Sequence, residues 1–178
     1  MKKYAALLRG INVGGHTRVE MRKLKHIFEQ AGCHQVATYI NSGNVVFADV
    51  RKPTVLRGIL EDAIREAFEV HVPVVLRSRE QIAELCAAIP ESWANDTAHK
   101  TDVMFLWDEI DSEDILKMIK IDPAHERVKY VAGALVWNID RENVTRGNGI
   151  KLIKTDLYRH MTVRNINTVR KLHELLHS

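Results

Sequence analysis

Residues 36–48 read VATYINSGNVVFA. VATYI and NVVFA are rich in β-branched and aromatic residues. The residues between them, Asn41, Ser42 and Gly43, tolerate positive φ, so the stretch predicts a β-hairpin.

Working outward, KKYAALL predicts a first strand, Tyr4 to Leu8, that enters the loop RGINVGG at residues 9–15. From Thr17 to Ala31 the residues Val19, Met21, Leu24, Ile27, Phe28 and Ala31 recur mainly at spacings of three and four, which predicts a helix near 18–31. Thr17 and Glu20 have the spacing of a capping box, and Gly32 stands where a left-handed residue would end the helix. A second helix is expected at 54–69, with Leu56, Ile59, Leu60, Ala63, Ile64, Ala67 and Phe68 on its apolar side, followed by the strand VPVVLR at 72–77. The order strand, helix, strand, strand, helix, strand is the split βαβ, or ferredoxin-like, pattern.

The fold expected is therefore α+β with two subdomains, each related to a ferredoxin-like antiparallel sheet with helices on one face. Residues 1–78 form the first subdomain, 79–100 a connecting helix (REQIAELCAAI) and polar linker, and 101–178 a second α+β subdomain in which the order partly repeats. That second part has strands at DVMFLW, RVKYVA and ALVWNI, an acidic helix near 112–120, an Asn- and Gly-rich region, and a closing helix from Ile166. Asn165 is its expected N-cap, and Val169, Leu172, Leu175 and Leu176 its buried side.

A chain of 178 residues with 46% hydrophobic content can bury a real core. No run approaches the roughly 18 apolar residues of a membrane span, and Arg9 and Gly10 interrupt any signal-peptide core, so a soluble cytoplasmic protein is expected. Cys33 and Cys86 form no C-x-x-C pair and are expected to pack as small apolar side chains. Charge is uneven: residues 1–26 carry seven Lys/Arg against Glu20, residues 141–178 eight against three acids, and residues 80–126 twelve acids against three lysines. If the basic ends meet, they form one anion-attracting surface.

RGINVGG has the glycine spacing of neither a dinucleotide fingerprint nor a P-loop, yet a strand feeding a flexible loop and then a helix is the setting of an anion site. HELLH at 173–177 matches H-E-x-x-H, but Leu175 and Leu176 give that turn a packing role. No metal and no cofactor are expected. Ser42 lacks the surroundings of a nucleophile and reads as turn chemistry, and Trp107 and Trp137 read as core residues on strands.

ALLRGINVGG at 6–15, TYINSGNVVF at 38–47 and TVRNINTVRKL at 162–172 together resemble the bacterial family called domain of unknown function 1697. The resemblance implies two α+β subdomains with likeness to ferredoxin-like folds, and it brings no catalytic residue with it. In that family the last motif commonly has Trp where this chain has Ile166. Polar residues and glycines at such turns exceed what a core needs, so Arg9, Asn12, Gly14, Gly15, Ser42, Asn44, Arg164 and Asn165 are the candidate ligand-binding residues. They are expected to line a shared polar cleft for a phosphate-bearing small molecule or nucleic acid. Two other readings stay open: an enzyme on a phosphorylated or nucleotide substrate, with His16 as the nearest base, or a structural or interaction module. Oligomeric state is open as well.

Overall fold

The computed structural model describes residues 1–14 and 17–178. The chain divides into two compact units, Met1–Glu80 with Leu172–Ser178, and Gln81–Lys171.

In the first unit β1 (Lys2–Leu8), α1 (Met21–Gln30), β2 (His34–Tyr39), β3 (Asn44–Asp49), α2 (Pro53–Phe68) and β4 (Val74–Ser78) follow one another. The sheet order is β2-β3-β1-β4, antiparallel throughout. VATYI and NVVFA are thus neighbouring strands, as their composition predicts. Tyr4, Ala6 and Leu8 of β1 join Leu24 and Phe28 of α1 and Leu56, Leu60 and Ile64 of α2 in one core. Ala5 and Leu7, of opposite parity, are also fully buried, so both faces of the strand are out of water. Cys33 belongs to that core, as expected of a small apolar residue.

The second unit repeats this topology. After α3 (Arg79–Ala88) come β5 (His99–Leu106), α4 (Ile115–Met118), β6 (Glu126–Val131), β7 (Ala134–Asp140), α5 (Asn148–Leu152), β8 (Met161–Asn165) and α6 (Ile166–His177), of which the part from Leu172 onward is counted with the first unit. Its sheet order is β6-β7-β5-β8, which is the first order with four added to every strand number. Equivalent backbone bonds recur: Leu8 N donates to Gly43 O at 2.9 Å and Leu106 N to Gly133 O at 3.0 Å, while Arg9 N donates to Pro73 O and Trp107 N to His160 O, both at 3.0 Å.

The structure departs from the sequence expectations in identifiable places. The first helix begins at Met21, and Glu20, its N-cap, makes no side-chain cap bond. The capping box at Thr17 fails because Asn12 N donates to the Thr17 carbonyl at 2.7 Å and the Asn12 side chain brackets Val19, which holds these residues in the loop. Gly32 does adopt φ 88° beyond the helix end. β8 has no announcing apolar alternation, since Thr162 and Arg164 supply its second buried face. The acidic helix shrinks to α4, one turn. In α6, Asn165 Oδ1 accepts from Thr168 N at 2.9 Å, the expected N-cap. Leu172 and Leu176 are buried there and Leu175 is half-buried. The rings of His173 and His177 lie 4.3 Å apart. Trp137 is buried in β7, whereas Trp107 falls just beyond β5 and is half-buried.

Candidate functional site

The register of the first sheet decides which motifs meet. β1 and β3 are antiparallel with Leu7 opposite Asn44, so the loop leaving Leu8 must abut the turn that precedes Asn44. RGINVGG and NSGN therefore adjoin at one end of the first sheet.

Their contact is close and specific. Gly43 sits at φ 77°, and a Cβ there would lie 2.7 Å from Ile11 Cδ1 and 2.8 Å from Leu8 Cβ. Only glycine satisfies both the conformation and the space. Ile11 is buried against this turn, while the residues that follow it turn outward. Asn12 takes φ 54°, a conformation asparagine tolerates better than most residues. Its Nδ2 donates to Val19 O at 2.9 Å and to Asn41 O at 2.8 Å, and its Oδ1 accepts from Val19 N at 2.9 Å. One side-chain amide thus ties the loop to the start of α1 and to the hairpin turn.

Beside this clamp lies an open groove of about 550 Å³, lined by Asn12, Thr17, Arg18, Glu20, Met21 and Asn41 among others. Its charged lining is Arg18 and Glu20, both exposed, with half-buried Arg9 and exposed Arg22 nearby in sequence. Lys23 is directed elsewhere: its Nζ donates to Ala67 O at 2.6 Å and lies 4.7 Å from the centre of the Phe68 ring. The first amides of α1 have no side-chain cap and open at Met21, on the wall of the groove.

Ser42 and Asn44 serve the turn itself. Asn44 is fully buried, and its Nδ2 donates to Tyr39 O at 3.1 Å and Ser42 Oγ at 3.0 Å. Gly14 has φ 61° in the exposed part of the loop. Gly15 and His16 lie outside the described residues.

Arg164 and Asn165 belong to the second unit. Arg164 is buried, and its Nη1 donates to Thr162 Oγ1 at 3.0 Å and Val163 O at 2.8 Å. Burial pulls its pKa down to about 10, partly offset by Tyr158, so it remains a cation at neutral pH. Arg77 stands at the equivalent place in β4, also buried, with Nη1 donating to Leu76 O at 2.9 Å. Asn165 is the α6 cap described above.

Composition marks RGNGIK, residues 146–151, as rich in Asn and Gly but does not reveal what its glycines do. A Cβ on Gly147 would lie 2.7 Å from Glu126 Oε1, and one on Gly149 would lie 3.3 Å from the Trp137 ring. Buried Glu126 accepts from the backbone amides of Asp122, Asn148 and Gly149. A glycine pair flanking an asparagine, downstream of a lone acid in β6, is the signal that could have pointed there.

A family model described as "Protein of unknown function (DUF1697)" matches residues 1–137. The chain belongs to that family. The match takes in both motifs that meet at the groove of this DUF1697 protein and ends before Arg164. Its fold is also similar to a solved structure, that of the conserved bacterial protein SP0830 from Streptococcus pneumoniae. The TM-score is 0.84 at 29% sequence identity, over 98% of each chain. No curated protein matches. No helix among the described residues is long and apolar enough to cross a membrane.

Proposed function

We propose that this protein binds a phosphate-bearing ligand, a nucleotide, sugar phosphate or nucleic acid, in the groove where the RGINVGG loop meets the NSGN hairpin. The observation that carries the reading is the Asn12 clamp, which spends a whole side-chain amide on fixing the wall of an open groove at the uncapped start of α1. Fixed amides and nearby guanidinium groups are the two ingredients of phosphate recognition. Arg9 and Arg18 supply charge, Asn12 and Ser42 hold the walls, and Gly10 and Gly14 let the loop backbone approach the ligand.

A structural or interaction module is the second reading. It is favoured by Asn44, Arg164 and Asn165, which make side-chain bonds to the turn at Ser42, to Thr162 and Val163, and to the start of α6. A thermal-shift screen of nucleotides, sugar phosphates, short DNA and short RNA at two salt concentrations separates the two. At about one hundred times its dissociation constant a ligand adds about 2.7 kcal/mol. Nucleic-acid binding also falls steeply with salt, because neutralised phosphates release counterions. Stabilisation that disappears in Arg18→Gln supports the groove, and no stabilisation by any compound supports the structural reading.

A further inference from the structure

The second unit buries Trp137 to 4% exposure, and its indole Nε1 has no hydrogen-bond partner among the described residues. Buried indole N–H groups ordinarily find an acceptor. Trp137 borders a cavity of about 370 Å³ that is also lined by Met118, Lys120, Asn148, Lys151 and Thr155. That is the size of a small-ligand pocket. Its charged lining consists of the two lysines, with no carboxylate among the lining residues. Met118 is 67% exposed, an apolar side chain left in water at the cavity's edge. On another side Trp137 borders a second cavity of about 210 Å³, where Ile153 is likewise exposed, at 54%. Gly149 lets the start of α5 lie against the indole, since a Cβ there would approach the ring to 3.3 Å.

We infer that the Trp137 cavity binds a small amphiphile, an apolar body carrying one carboxylate. The body packs on Trp137 and Met118, and Lys120 and Lys151 attract the head group. A polar ligand would leave the apolar wall uncovered, and a neutral apolar ligand would not use the two ammonium groups. This site lies within the second unit and is independent of the phosphate groove.

Decanoate, below its micelle threshold, is the probe. In the ¹⁵N-labelled full chain the three tryptophans give three indole signals. Decanoate is expected to move the Trp137 signal saturably, with Trp137→Phe identifying it. If that variant does not fold, Trp93→Phe and Trp107→Phe identify it by elimination. The double variant Lys120→Gln/Lys151→Gln, altered only at exposed side chains, is expected to bind decanoate at least about tenfold more weakly, the loss of its charge-assisted contacts. Decanol is expected to bind more weakly than decanoate. An unmoved Trp137 signal, equal affinity in the double variant, or equal affinity for decanol would each overturn the proposal.

Discussion

Asn12 holds Asn41: the side-chain Nδ2 of the first donates to the backbone carbonyl of the second at 2.8 Å, across 29 residues of sequence. With its two bonds to Val19, this makes Asn12 the joint between the first loop, the first hairpin and the start of α1. Asn12→Ala removes three hydrogen bonds and is expected to lower stability by about 1–3 kcal/mol. In a chain of this size that lowers Tm by about 2–4 °C per kcal/mol. Asn12→Asp keeps the acceptor for Val19 N and should fall between the two, as read by thermal melting.

Gly10 and Gly43 separate backbone strain from steric exclusion. Both have positive φ, 72° and 77°, but a Cβ on Gly10 meets nothing within 4 Å, whereas one on Gly43 collides with Ile11 and Leu8. Gly10→Ala is expected to cost about 1 kcal/mol from conformation alone, and Gly43→Ala about 3 kcal/mol or more. Urea midpoints of the two variants measure the difference, and equal losses would contradict the packing described.

Asp49 sets an acid limit on the first unit. Arg51 bonds its carboxylate, with Nε donating to Oδ1 at 2.9 Å, and holds its pKa well below the usual carboxylate range. A depressed folded pKa means that this contribution is fully present above the unfolded value, near 3.8, and is lost as pH falls below it. Between pH 7 and pH 3 the wild-type urea midpoint is expected to fall further than that of Asp49→Asn. Parallel decreases would show that the pair does not act as described. Cys33, next to the same pair, has its thiol pushed up to about 12 by burial and by Asp49, so it should resist alkylation at neutral pH until the chain unfolds.

Arg164 is expected to behave as part of its strand. Arg164→Gln leaves Thr162 Oγ1 and the Val163 carbonyl without their guanidinium donor inside the second unit, and should cost about 2–4 kcal/mol. Stabilisation by a ligand of the first-unit groove should persist in this variant. Loss of that stabilisation without loss of Tm would instead make Arg164 a ligand contact.

Local signals carried most of the first unit. The period-two runs around Asn41, Ser42 and Gly43 and the three-and-four spacing of Leu56, Leu60 and Ile64 depend only on near neighbours, so they reveal the hairpin and α2. Thr17 misleads because a longer-range force acts on it: Asn12 holds Val19, and no propensity records that bond. β8 is obscured because a buried arginine and threonine look like surface residues in a sequence. The cradle of Gly147 and Gly149 shows in the sequence only as an Asn- and Gly-rich region, since Glu126 and Asn148 meet across 22 residues. At the candidate site, the meeting of RGINVGG with NSGN follows from strand order, but the internal use of Asn44 requires knowing that it is fully buried.

The most direct measurement is an NMR titration of the ¹⁵N-labelled full chain with inorganic phosphate and then with ADP, repeated in Arg18→Gln. Saturable amide shifts are expected at Asn12, Gly14, Arg18, Met21 and Asn41, with weaker binding in the variant. Shifts that saturate elsewhere, that are unchanged in Arg18→Gln, or that fail to appear with either compound would contradict a phosphate site at this groove.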